Sequence, residues 1–530
     1  MSAILISQVS AIIAGELIST DLNSDFKVSA ICTDSRTVFD PDASIFFAIK
    51  TDRNDGHRFI PDLVQKGVRA FVVSQNKDEL KQYAGCRFIV VRDTLEALQK
   101  LAAWHRSTFN IPVVGITGSN GKTIVKEWLF ELLQSRVVLR SPKSYNSQIG
   151  VPLSVWNLKP EHQIAIFEAG ISKPGEMQKL ALIISPTVGI ITNIGEAHQE
   201  NFHSKTEKLY EKLLLFKSCD TVIYCADQAM VHTGIQQVIP DVYAVGWSFN
   251  NPSAEIFFEK MESASGTSLT AEFEGKTHTI ELPFKDDASL ENAGHCLAVL
   301  LSQHWDSEEA LLNFEHLQPV AMRLEIKEGG NNCLLINDYY NSDINSLQIA
   351  LNFLNNHAVA PYKGKTVILS DIQQAGTTDD ELYREVSRLL QLNQVTQVIG
   401  IGERIRKFSG LFGKFARFYE TTAQFLESVQ PGQFQQECIL LKGARDFHFE
   451  RISSVLQKKY HQTVLEIDLN AMIGNLNYFR SLIRPGTKIM VMVKAFSYGS
   501  GMAEIARILQ FHKVDYLAVA VADEGIELRQ

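Results

Sequence analysis

Six consecutive residues, Gly118-Ser119-Asn120-Gly121-Lys122-Thr123, combine two glycines, a lysine and a hydroxyl. That set can hold a polyphosphate. Gly118 and Gly121 let backbone N–H groups approach the anion, Lys122 reaches the β- and γ-phosphates, and the Thr123 hydroxyl can ligate Mg²⁺. The strict G-x-x-x-x-G-K-[ST] spacing is not met, because Ile116 stands where its first glycine would fall. The setting still favours a phosphate loop: the apolar run Pro112–Thr117 precedes it and the helical run Ile124–Leu133 follows, so a helix N-terminus faces the ligand. Gly400-Ile-Gly402-Glu403 lacks the third glycine of a dinucleotide fingerprint and reads as a plain turn.

Other residues with chemical potential stand at the ends of apolar runs. Glu168 ends Ile164–Glu168 and His198 follows Val188–Asn193, the place where open α/β sheets bring ligands. A hard cation such as Mg²⁺ takes oxygen ligands, which suits Thr123 and Glu168. The bland alternatives are a solvated strand-end carboxylate and a loop histidine bonded to backbone. Lys212 lies in the run Lys205–Phe216, beside the stripe Leu209, Leu213, Phe216, so it borders a buried helix face. Snorkelling of its stem along the helix is one account of it.

Placing these groups calls for a parallel sheet. Short β-rich runs alternate with amphipathic helical stretches, the pattern of α/β proteins. Strands are expected at 112–117, 164–168, 188–193, 221–225, 366–370, 395–399 and 438–442, and in a smaller leading unit at 45–49 and 70–73. Residues 245–283 alternate polar and apolar, which predicts an antiparallel hairpin insertion. At roughly 150 residues per domain, 530 residues make three or four domains, and we place boundaries at 108, 316 and 460. The net charge of −9 and the lack of long basic runs argue against nucleic-acid binding. No apolar run is long enough to span a membrane, and the N-terminus lacks the early positive charge of a signal peptide. Seven scattered cysteines, none in a Cys-x-x-Cys pair, suit a reducing cytoplasm.

The loop Thr117-Gly-Ser-Asn-Gly-Lys-Thr123 resembles that of the Mur ligases, which build the peptide stem of bacterial peptidoglycan. Further matches run in order to about residue 458. They are Thr33-Asp34-Ser35-Arg36 with Asp55-Gly56-His57, Asn146-Ser147-Gln-Ile-Gly150-Val-Pro152, Phe167-Glu168 with Gly175-Glu176, and Thr192-Asn193-Ile194-Gly195 with Ala197-His198. Arg323, Asp338-Tyr339-Tyr340-Asn341 and Lys442-Gly443-Ala-Arg445 complete the series. The form of residues 338–341 is similar to the branch that joins D-alanyl-D-alanine to UDP-N-acetylmuramoyl-tripeptide. The resemblance implies a three-domain α/β architecture: a small substrate domain, a central phosphate-loop domain with a parallel sheet, and a C-terminal Rossmann-like domain. It implies ATP and Mg²⁺ as cofactors and an acyl-phosphate intermediate. Catalysis would fall to Lys122, Glu168, His198 and Lys212. The metal ligands would be Thr123, Glu168, His198 and a carbamylated Lys212. ATP would meet residues 118–123, Asn292, His295 (where the family has a second Asn), Arg323 and Asp338. Ser35, Arg36, Asn146 and Asn341 would hold the other substrates.

After Lys459 a second resemblance begins. Val464-Leu-Glu-Ile-Asp468 and Lys494-Ala-Phe-Ser-Tyr498-Gly499-Ser-Gly501 are similar to the start of alanine racemase, with Lys494 matching the pyridoxal-phosphate lysine and Ser500 departing from a histidine. A (β/α)₈ barrel takes about 250 residues, so residues 461–530 are expected to be an incomplete barrel that does not racemise alanine. Pyridoxal phosphate would belong only to a complete racemase domain. Two other readings remain: a pyridoxal-phosphate racemase with an ATP-binding module, and a nucleotide-binding scaffold without activity.

Overall fold

The computed structural model describes residues 3–19, 25–36, 38, 40–51, 54–74, 80, 82–142, 144–195, 201–263, 266–320, 324–340, 342–372, 378–430, 432–458, 469–484, 486–494, 502–512 and 514–529. Among them, four regions each build a sheet of their own. In the first, Glu16–Ser19, Arg87–Val90, Ala70–Val73, Ser44–Phe47 and Ala30–Cys32 lie side by side, parallel except for the antiparallel edge Glu16–Ser19. Helix Thr94–Ser107 leaves this region, capped by Asp93, whose carboxylate accepts from the Leu95 and Glu96 amides. It feeds two cores at once. Ala97, Leu98 and Leu101 pack on the first sheet, while Ala102 packs in the second region.

The central sheet runs, from edge to edge, Lys276–Leu282, Thr267–Phe273, Ile256–Glu262, Tyr243–Ser248, Thr221–Cys225, Val188–Ile191, Val113–Thr117, Ile164–Glu168, Val138–Arg140. Its strands Val113–Thr117, Ile164–Glu168 and Val188–Ile191 are buried along their whole length. That burial explains why they read as continuous apolar runs rather than alternating ones. Residues 245–283 depart from the expected separate hairpin. Tyr243–Ser248 and Ile256–Glu262 belong to the parallel part, and Thr267–Phe273 and Lys276–Leu282 extend the same sheet in antiparallel fashion. Trp247, fully buried and in register with Ile256, ties the two parts together.

The third sheet orders Glu325–Glu328, Leu334–Asp338, Glu437–Lys442, Gly364–Ser370, Gln397–Ile401 and Ala416–Tyr419, with only the first strand antiparallel. The strand at 397–401 lies two residues later than expected, because Gln394 turns the chain with a positive φ of 55°. Beyond residue 468, the described part pairs Met490–Met492 in parallel with Tyr516–Ala518, beside helices Leu469–Leu482, Met502–Phe511 and Ala522–Glu527. No described helix is long and apolar enough to cross a membrane. All seven cysteines are buried free thiols.

Candidate active site

Strand Val113–Thr117 ends at the glycine-rich loop, and helix Lys122–Leu132 begins directly after it. Both key glycines need their freedom here. Gly118 has φ 143° and Gly121 has φ 82°. A Cβ on Gly118 would sit 2.0 Å from Thr192 Oγ1, and one on Gly121 would sit 2.3 Å from Asn292 Oδ1. The expected strand over 188–193 stops at Ile191, since the next two residues turn to clamp the loop. The Thr192 hydroxyl donates to Asn120 O at 2.5 Å. Asn193 accepts from Asn120 N through Oδ1 at 3.0 Å and from Ser119 N through its carbonyl at 2.7 Å.

Two lysines converge on this loop. Lys122 Nζ donates to Gly118 O at 2.8 Å and Ser119 O at 2.9 Å, while Lys212 Nζ reaches the same Gly118 O at 3.0 Å. Helix Lys205–Leu213 positions Lys212: Ser204 caps it by accepting from Glu207 N, and Leu209 and Leu213 anchor it in the core. Lys212 is almost wholly buried. Burial, with the nearby Lys122 and Lys208 charges adding to it, pushes its amine well below the ordinary lysine range.

On the other side of the loop, the Thr123 hydroxyl donates to Glu168 Oε2 at 3.0 Å, with Asn146 Nδ2 at 3.5 Å from the same oxygen. Adjacent oxygens around an octahedral Mg²⁺ with bonds of about 2.1 Å lie about 3.0 Å apart. The spacing and the hard-oxygen character of Thr123 and Glu168 therefore fit that ion. Among the described residues no group of three His, Cys, Asp or Glu gathers as a metal nest. His198, Arg323 and Asn341 lie outside the described residues.

The loop separates two clefts. One, of ≈ 490 Å³, has Asn120, Gly121, Asn292 and Glu291 on the central side and Asp338 and Lys442 across from them on the third sheet. The other, of ≈ 480 Å³, is lined by Gly118, Ser119, Lys122, Lys212 and Asn146. Tyr340 borders both. Asp338 ends its strand beside the end of Glu437–Lys442, and its Oδ2 accepts from the buried Lys442 Nζ at 2.6 Å.

His295 lies outside the linings of both clefts. It is fully buried, its Nδ1 accepting from Trp247 Nε1 at 3.1 Å and its Nε2 paired with Thr192 O at 3.2 Å. Both ring nitrogens are spent inside the domain, so the ring does not face the cleft where a base would lie. Burial lowers its pKa to about 3. Its place is structural, behind the strand that clamps the loop. Ser35 and Arg36 line neither cleft: Arg36 is exposed and forked onto Asp34 at 2.6 Å, and Ser35 O accepts from Lys66 Nζ at 3.3 Å.

The sequence reading gave no individual role to three groups. Glu291 borders the first cleft, accepts from Gln228 Nε2 at 2.9 Å, and is pushed up to about 7 by burial. Lys442 pairs Asp338. Lys126 is a fully buried lysine 3.1 Å from Glu168 Oε1. Its signal was available: it falls three residues after Thr123 among the buried Val125, Trp128 and Leu129.

Residues 116–300 match the Mur ligase middle domain, and residues 27–106 match the Mur ligase family catalytic domain. The chain belongs to the Mur ligase family. Residues 467–530 match the N-terminal domain of alanine racemase, so the Mur ligase regions are followed by a racemase-like one. Among similar proteins are the UDP-N-acetylmuramoyl-tripeptide–D-alanyl-D-alanine ligases of Bacillus subtilis and Synechocystis. The first is 25% identical over 435 residues, covering 80% of this chain and 92% of that protein. The second is 29% identical over 372 residues, covering 69% and 78%. The fold is shared with MurF from Acinetobacter baumannii, at TM-score 0.74 and 24% identity over 87% of this chain and all of that one. It is also shared with MurF ligase from Thermotoga maritima in complex with ADP, at TM-score 0.67 and 22% identity over 81% and 96%.

Proposed function

We propose that this Mur ligase joins D-alanyl-D-alanine to UDP-N-acetylmuramoyl-tripeptide at the expense of ATP, in the cytoplasm. The observation that carries the reading is the meeting of Lys122, Lys212, Thr123 and Glu168 around one glycine-rich loop between two clefts. The nucleotide occupies the cleft of Asn292 and Asp338, and the tripeptide carboxylate approaches from the cleft of Lys122, Lys212 and Asn146. Ser35 and Arg36 are assigned to the UDP-sugar through the family motif, with Arg323 and Asn341 assigned likewise to ATP and acceptor.

The γ-phosphoryl passes to the tripeptide carboxylate, its bond to the ADP oxygen breaking as the acyl phosphate forms. The dipeptide amine then attacks the acyl carbon, phosphate leaves, and the amine nitrogen loses its proton. Lys122 can exchange its two backbone acceptors for phosphate oxygens and so spread the charge of the transferring group. Thr123 and Glu168, with His198 through the family motif, would hold Mg²⁺, which would supply charge neutralisation at the phosphates. Lys212 is assigned as a carbamate: its neutral amine adds to CO₂ and loses a proton, turning a buried amine into an anionic oxygen donor.

Lys494 is assigned as the position of the racemase family's Schiff-base lysine. Residues 495–501 beside it lie outside the described residues, and no step is derived through pyridoxal phosphate. Phosphate release from ATP tests the reading. It is expected only when both UDP-N-acetylmuramoyl-tripeptide and D-alanyl-D-alanine are present. Release without either acceptor would overturn the ligase reading in favour of a bare ATPase, and none at all would leave a nucleotide-binding scaffold.

A further inference from the structure

Helix Lys122–Leu132 carries a second lysine that the phosphate chemistry does not use. Thr123 and Lys126 are three residues apart, so both leave the same side of the helix toward the strand end at Glu168. The Lys126 ammonium is fully buried, 3.1 Å from Glu168 Oε1, 2.8 Å from Glu127 Oε1 and 2.9 Å from Ser141 O. Glu127 is held in turn by Arg140 at 2.9 Å, whose guanidinium lies 3.6 Å from the Phe130 ring centre. The contact with Glu168 is one of charge, since among the described residues Oε1 accepts no hydrogen bond of good geometry.

The two oxygens of this one carboxylate therefore meet unlike surroundings. Oε1 faces a cation locked in the core, whereas Oε2 faces the Thr123 hydroxyl and the cleft residue Asn146. A buried ion pair is a poor way to stabilise a core, where an apolar side chain of similar size does as well. What the pair does supply is orientation and a fixed positive charge behind one oxygen.

We propose that Lys126 holds Glu168 as a one-oxygen ligand and so makes the Thr123–Glu168 site select Mg²⁺ over Ca²⁺. This rests on the reading that Thr123 and Glu168 hold the divalent ion. Mg²⁺ demands six ligands in a tight octahedron, whereas Ca²⁺ takes six to eight at longer range and readily accepts both oxygens of a carboxylate. A lysine charge fixed against Oε1 repels a divalent ion that would straddle the carboxylate, and leaves the ion that needs Oε2 alone almost untouched. Lys126 is thus a positioning residue, acting through Glu168.

Displacement of Mn²⁺ from the substrate-free full chain, followed by electron paramagnetic resonance, reads the affinity of each ion without turnover. In Lys126→Met the preference for Mg²⁺ over Ca²⁺ is expected to fall at least about tenfold, mainly because Ca²⁺ binds more tightly. Lys126→Arg, which retains the charge, is expected to hold the preference within about threefold. An unchanged preference in a methionine variant with a normal thermal melt would overturn the proposal, as would an arginine variant as unselective as the methionine one. Should the methionine variant not fold, Lys126→Gln carries the same test, since it keeps polarity without charge. Loss of acceptor-dependent phosphate release in the unaltered chain would instead overturn the ligase reading, and failure of that chain to bind Mn²⁺ would overturn the metal site.

Discussion

Lys212 and Lys494 show how differently two lysines can be set. Lys212 reaches into the end of a parallel sheet buried on both faces, touches the phosphate loop, and has its amine driven toward the neutral form by its surroundings. Lys494 follows a strand of only three residues, Met490–Met492, and is half-buried. Met490, Met492 and Tyr516 on that small sheet are each more than half exposed. Both lysines are expected, from motif resemblance alone, to stand where a known family has a catalytic lysine. The difference lies in enclosure, because a lysine's chemistry is set by the dielectric and charges around it.

The contrast can be broken most sharply at Lys212. Lys212→Ala should lower acceptor-dependent phosphate release by about 10²–10³-fold, with partial recovery on adding a short carboxylic acid to stand in for the oxygens of the proposed carbamate. Full activity in that variant would make Lys212 as dispensable as Lys494. Next comes the loop that Lys212 touches. Gly118→Ala forces a side chain into φ 143° and against Thr192, so it should cost about 1–3 kcal/mol in a denaturant melt and weaken ATP binding in calorimetry.

A subtler effect tests enclosure itself. His295 has its pKa lowered from 6.5 to about 3 by burial. The folded chain therefore keeps it neutral in a range where the unfolded chain takes up a proton. Its contribution is complete above pH 6.5 and is lost as pH falls toward 3, at up to about 1.4 kcal/mol per pH unit. His295→Asn should flatten the fall of the urea midpoint between pH 6 and 4, and an unchanged slope would contradict the buried placement. The smallest effect is expected at the other pole: Lys494→Ala should leave the rate of ligation within about twofold, since Lys494 lines neither cleft.

Much of this was legible in the order of residue types. The runs ending at Thr117 and Glu168 are apolar throughout because both faces of those strands are covered, and glycines and a lysine after the first leave little else for the loop to be. What composition could not reveal was which buried polar groups pair. The spacing of Lys126 from Thr123 marks its helix face, but its partner Glu168, from a strand some forty residues later, emerges only in the fold. His295 occupies a family position for base recognition, yet Trp247, far away in the chain, takes its second nitrogen. The antiparallel strands after residue 256 looked detached because alternation reports one exposed face and says nothing of which sheet the strand joins.

Tyr340 has a consequence of its own. It stands just past the end of strand Leu334–Asp338 and forms part of the wall of both clefts. Any swing of the third sheet relative to the glycine-rich loop reshapes the two chambers together, through one aromatic ring. A substitution at Tyr340 changes the lining of both clefts at once.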